Sequence, residues 1–235
     1  RHEVKDNPQS PSYPNLSFPT ILPGQAGSPF NVPVRWYGRP IGAEASSPLA
    51  PRKSDTLRTA LQVDGRLTET WSWKAGITYS RNSRDAYQPD TVKSRLNAAL
   101  AGSGGLSGQE TFNPFDPEGN SPALIDWMSY QTYTNKKTDL TVIDFVFSGD
   151  VGETHAGAIG FAVGGQWRKE GFSVNRNELY TQQVDPDTGA TVPVDLIFLG
   201  GGLPVNRSKD SIALFAEASV PLSNSLEANL AARFE

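Results

Sequence analysis

The chain contains no cysteine. That excludes a disulfide framework and any thiolate metal site. Imidazole is nearly as scarce, with His2 and His155 as the two candidates for ligand or base. No apolar run approaches the roughly 20 residues that a membrane helix needs. This excludes a helical span and nothing more, because a barrel strand needs about 9–11 residues and only one apolar face. A basic stripe is missing too: 21 Lys and Arg stand against 25 Asp and Glu, a net charge of −4. Nucleic acid is therefore not expected as a partner. There is no start Met and no signal-peptide pattern. Phosphate-cradling glycine loops and nucleophile elbows do not occur, and no pair of carboxylates is marked out as a glycosidase pair. The chain is accordingly read as a non-enzyme, with no catalytic residue, metal ligand or cofactor assigned.

What is plentiful is glycine (22), proline (18) and short alternating runs. The clearest lies at 211–235. Ile212, Leu214, Ala216, Ala218 and Val220 share one face, and Leu226, Ala228, Leu230, Ala232 and Phe234 share another across a short turn at 221–225. Period two marks strands, and two such runs across a brief turn mark an antiparallel hairpin. A second hairpin is expected at 54–82. Its simplest register sets Val63 opposite Trp73, Leu61 opposite Ala75 and Leu57 opposite Tyr79, which keeps one face apolar apart from Thr59. A third is expected at 138–171, with Ile159, Phe161, Val163 and Trp167 on the apolar side and a tight turn holding His155.

Between these hairpins lie long connections at 1–53, 83–137 and 172–209. The first is proline-rich, with room for a short edge strand near residues 32–37. The second has a predicted helix at 90–100, with Asp90 as N-cap and Val92, Leu96 and Leu100 on one stripe. A further helical turn is expected within 121–133. The sequences around Asp116, Glu118 and Asn120, and around Asp185 and Asp187, imitate part of a calcium loop but lack its full spacing, and read as turns.

Connections thus alternate long and short. In a meander every second connection lies at the same end, so all long loops gather at one end and all tight turns at the other. The expected fold is all-β: an antiparallel up-and-down meander of about six strands, a segment of a transmembrane β-barrel with long extracellular loops. Trp71 and Tyr79 lie eight residues apart on the apolar face. At about 3.3 Å per residue and a tilt near 40°, that is roughly 20 Å of depth, close to the ~25 Å band between aromatic girdles.

Several stretches carry a family resemblance. They are Phe215-Ala-Glu-Ala-Ser-Val-Pro-Leu222 with Leu226-Glu-Ala-Asn-Leu-Ala-Ala-Arg-Phe-Glu235, and Gly160-Phe-Ala-Val-Gly-Gly-Gln-Trp-Arg-Lys-Glu170. Gly65-Arg-Leu with Trp71-Ser-Trp-Lys-Ala-Gly-Ile-Thr-Tyr-Ser80, and Phe112-Asn-Pro-Phe115, belong to the same series. From about Tyr13 to the end the chain resembles a TonB-dependent outer-membrane receptor. The resemblance implies a 22-stranded plugged barrel in the outer membrane of a Gram-negative bacterium. It also implies import of an iron chelate, cobalamin or oligosaccharide, driven by TonB and its inner-membrane motor through the plug. Neither plug nor energy-coupling box is found in the sequence, and the last strand still alternates at Glu235, so a cut through a barrel wall is the expectation.

On this reading Gln62, Lys74, Asp144, Arg168, Glu170, Glu217 and Arg233 face the lumen, either lining the ligand path or simply keeping it polar. The hairpin register sets Glu217 opposite Asn229 and Arg233 opposite Ala213, so these two are not read as an ion pair. Trp36, Tyr37 and Arg39 in the first long loop, and Tyr130 and Tyr133 in the second, are the ligand-binding candidates. Local loop packing is their plainer alternative. The second reading of the whole chain is a soluble β-sandwich binding module for carbohydrate, whose strands would alternate as well.

Overall fold

The computed structural model describes residues 2–5, 19–40 and 49–235. One antiparallel sheet dominates. It holds β1 (His2–Lys5), β4 (Arg52–Arg66), β5 (Trp71–Thr91), β6 (Ser129–Thr154), β7 (Gly157–Arg176), β10 (Val205–Ser223) and β11 (Leu226–Phe234). Their order is β1-β4-β5-β6-β7-β10-β11, each strand beside its neighbour in sequence, which makes an open meander. Two small ladders lie outside it: β2 (Thr20–Ile21) with β3 (Val34–Arg35), and β8 (Gln183–Val184) with β9 (Thr191–Val192). β3 falls inside the short edge strand expected near 32–37. No helix among the described residues is long and apolar enough to cross a membrane.

Register separates the residues cleanly into two faces. One row runs Val63, Ala75, Phe145, Gly165, Leu214, Phe234 across six strands. The next row of that face runs Leu61, Ile77, Ile143, Trp167, Ile212. Between them, on the opposite face, lie Gln62, Gly76, Asp144, Gln166 and Ala213. The apolar side is open: Leu61 is 64% exposed, Ile212 65%, Leu230 66% and Phe234 77%. A soluble monomer rarely shows a contiguous apolar patch beyond a few hundred Å². A β-sandwich would cover this face with a second sheet, and the described residues supply none.

Two registers differ from the sequence expectation by two residues. Val63 lies opposite Ala75, Leu61 opposite Ile77 and Leu57 opposite Arg81. Pairing continues into Gly65, which takes the place opposite Trp73. A Cβ at Gly65 would collide with the indole, so the glycine is what lets the ring lie across the neighbouring strand. Thr68 then closes the turn, its Oγ1 accepting the N–H groups of Thr70 (3.3 Å) and Trp71 (3.0 Å). In the last hairpin Glu217 lies opposite Ala231 and Arg233 opposite Phe215. There the strand runs on through Pro221 to a bulge between Pro221 and Ser223. A bulge is where a residue without an N–H can be carried in a ladder. Because both shifts are even, every residue stays on its expected face.

The strands also outrun their expected length. β5 and β6 stay paired up to Thr91 and Ser129, deep into what reads as connection. Asp90 is therefore a strand residue and not an N-cap. The helix α1 (Lys93–Leu100) begins at Val92, without a side-chain cap of its own. A second helix, α2 (Pro122–Met128), is capped locally by Ser121, whose Oγ accepts the Leu124 N–H at 3.1 Å.

Candidate functional site

The long connections fold into a cap with its own core. Ile21 and Ala26 come from the first. Leu96, Ala99, Leu100, Phe112, Leu124 and Met128 come from the second, and Ile197 of the third packs against them. The third connection is fastened by two carboxylates. Asp195 accepts the Ser94 N–H at 2.9 Å and the Ser94 hydroxyl, so it caps α1 from about a hundred residues away. Asp90 is 3% exposed and accepts the N–H groups of Leu199 (2.8 Å), Thr91 (2.7 Å) and Phe198 (3.3 Å). It lies eleven residues beyond Tyr79, outside the apolar band. Burial pushes its carboxyl above the usual carboxylate range, and the backbone donors pull partly against that. Replacing Asp195 with Ala is expected to cost about 1 kcal/mol, as loss of an N-cap does. Faster hydrogen exchange at Ser94, with β6 unchanged, is the readout.

Each candidate from the loops has a definite place. Trp36 packs edge-on against Phe112, with ring centroids 5.8 Å apart. Tyr37 is exposed at 64%, while Arg39 is buried at 9%. Tyr130 and Tyr133 are strand residues of β6. Tyr130 sits half-buried opposite Asp90. Tyr133 stacks at 5.1 Å on Tyr87 and donates to Asp85 at 2.8 Å. It too is outside the apolar band, and burial together with Asp85 pushes its phenol up to about 12. The five therefore do not converge on one spot: Trp36 belongs to the cap core and Tyr133 to a strand-borne network.

Gln62, Lys74, Asp144, Arg168, Glu170, Glu217 and Arg233 all fall on the polar face. Arg168 lies 3.4 Å from Glu170 and 3.6 Å from Glu235, and Arg233 lies 3.6 Å from Glu235, a four-residue ion cluster. Gly76 leaves the room that the Asp144 carboxylate occupies, since a Cβ there would strike it. Among the described residues no three His, Asp or Glu gather as a metal would require.

The polar face changes character toward the long-connection end. From the row of Thr56, Asn82, Thr138, Phe172 and Arg207 to the row of Arg52, Ala86, Thr134 and Arg176, the ionisable residues on β4–β7 and β10 are Arg52, Arg84, Lys136, Arg176 and Arg207. Every one is basic. Arg84 and Lys136 are direct cross-strand partners. The nearby acids Asp55, Asp85 and Asp139 point to the other face, where Asp139 meets Arg81 at 2.6 Å and Asp85 accepts from Asn135 and Tyr133. A cleft of about 310 Å³ is lined by Arg52, Arg84, Gln88, Lys136, Arg176 and Tyr180. Sequence reasoning missed this group because it assigned residues 1–53, 83–137 and 172–209 to connections, where alternation carries no facing.

A family model described as TonB dependent receptor-like, beta-barrel, matches residues 5–235. Among curated proteins no match was found.

Proposed function

The chain belongs to the TonB-dependent receptor β-barrel family, and on that premise we propose that it forms part of the wall and mouth of an outer-membrane import barrel. The observation that carries this reading is the open apolar face running through β4–β11, backed by a polar face in the same strands. Lipid is the solvent that such an outer face fits, and a plug with a water-filled path fits the inner one. Gln62, Lys74, Asp144, Arg168, Glu170, Glu217 and Arg233 would then face the lumen. The cap would stand outside the cell as the first surface that a ligand meets, offering Tyr37 and Tyr130, with Trp36, the buried Arg39 and Tyr133 holding the surface in shape. The cargo is a scarce small ligand of the iron-chelate, cobalamin or oligosaccharide kind, and TonB with its inner-membrane motor supplies the work through the plug. The work of the wall is passive: it holds, orients and excludes, and no bond is made or broken by its residues.

A topology experiment tests this. The chain has no cysteine, so a single introduced cysteine is read against a matched parent that lacks it. In intact cells Leu106→Cys, at a site 94% exposed in the cap, should react with a membrane-impermeant maleimide. Ser225→Cys, in the last tight turn, should react only after the outer membrane is permeabilised. The reverse pattern would sink the orientation and with it the proposed gate.

A further inference from the structure

We propose that the cargo is a small polyanion, and that Arg52, Arg84, Lys136 and Arg176 form its first binding site at the mouth of the lumen. This rests on the barrel reading above for which face is the lumen. The pattern runs against composition, since a chain with a net charge of −4 places five bases and no carboxylate on this part of β4–β7 and β10. It also has an internal cost. Arg84 and Lys136 sit directly opposite each other, and like charges in that relation destabilise a sheet. Neither makes an ion pair with a described residue, and neither does Arg52. The nearest carboxylate along the row, Glu3 of β1 opposite Ser54, is held by Lys5 at 2.9 Å.

Arg176 adds an independent sign. Its Nη1 donates to the Leu203 carbonyl at 2.8 Å and its guanidinium lies 5.7 Å from the Tyr180 ring, which fixes the head group. Its Nε is buried with no partner. A buried donor without an acceptor is costly unless something supplies one. The four cations take one place each on four neighbouring strands, with Arg84 and Lys136 in one row and Arg52 and Arg176 flanking them in the next row of that face. At about 4.8 Å between strands, they span roughly 14 Å. That breadth suits a ligand with two or more anionic groups better than a single-charged one. The cleft they line opens beside a second one of about 450 Å³ that shares Arg52 and Arg84, which is room for a small-molecule ligand. A charged wall of this sort also concentrates anions before contact.

The test uses the intact protein in lipid nanodiscs and pyrene-1,3,6,8-tetrasulfonate as the probe, followed by fluorescence anisotropy. Binding is expected, and it should weaken as salt is raised. The double variant Arg84→Gln/Lys136→Gln should lose about tenfold or more, the scale of one or two charge-assisted hydrogen bonds. Lys137→Gln/Lys169→Gln removes the same charge from the opposite face of β6 and β7, away from both clefts, and should leave binding unchanged. No binding by the native protein overturns the proposal, as does an equal loss in both double variants. Unchanged binding in Arg84→Gln/Lys136→Gln, with a lumenal segment newly cut by protease, would assign these bases to the plug and overturn it as well. Cysteine labelling scores the barrel orientation separately. Reversed labelling removes the lumen, whereas correct labelling with an indifferent probe removes only the anion site.

Discussion

Phe112→Ala is expected to loosen all three long connections at once. The ring is fully buried, touches Trp36 from the first connection, and lies in the cluster that α1, α2 and Ile197 share. Its own N–H donates to the Ala99 carbonyl at 3.0 Å, which ties residues 101–112 back onto α1. Truncating a buried Phe costs about 3–5 kcal/mol through lost transfer energy plus a cavity. Among the described residues the cap core is small, with eight buried residues, so a loss of this size is comparable with what such a cluster supplies. Limited proteolysis of the intact protein should therefore show new cuts in 19–40, 92–128 and 177–204 together, while β4–β7 stay protected. Cuts confined to 101–121 would mean that the loops are independent and that the shared core does not bind them.

The second large effect separates the two faces of one strand. Leu61→Arg should destabilise insertion into bilayers by about 2–4 kcal/mol, the scale for Arg on a lipid-facing site near the midplane. Leu61 sits in the row of Ile77, Ile143 and Ile212 with most of its surface open. Gln62→Arg, one residue along, should be nearly neutral. Its row holds Gly76 and then Asp144, a carboxylate that an added guanidinium can approach. Urea titration of refolding into vesicles measures both. Equal effects would contradict the assignment of the apolar face to lipid.

The faces were legible in the sequence because a strand's period is two, and a register error of two residues leaves parity intact. That is why every residue placed on the polar side by pattern is there in the fold, although Val63 met Ala75 and not Trp73. The registers themselves were not legible, since they depend on Gly65 making way for an indole and on Pro221 sitting beside a bulge. The helices were legible by their stripe, Val92, Leu96 and Leu100 all being buried. The cap of α1 was not, because its acceptor, Asp195, arrives from the third connection. The basic group was hidden for a related reason. Arg84 and Lys136 lie on paired strand only because β5 and β6 extend well beyond the apolar stretch, and their polar composition gives no such signal.

That extension has a consequence for how cargo arrives. From Tyr79 to Thr91 the β5–β6 ladder continues unbroken for twelve residues. At about 3.3 Å each and a tilt near 40°, it rises roughly 30 Å above the outer girdle. On the proposed barrel reading this hairpin would stand above the bilayer by a height comparable with the ~25 Å apolar band itself. Cargo moving down the polar side of this hairpin would then follow the long axis of the strands toward the bilayer plane, so that its approach gains a direction instead of being diffusion over a surface.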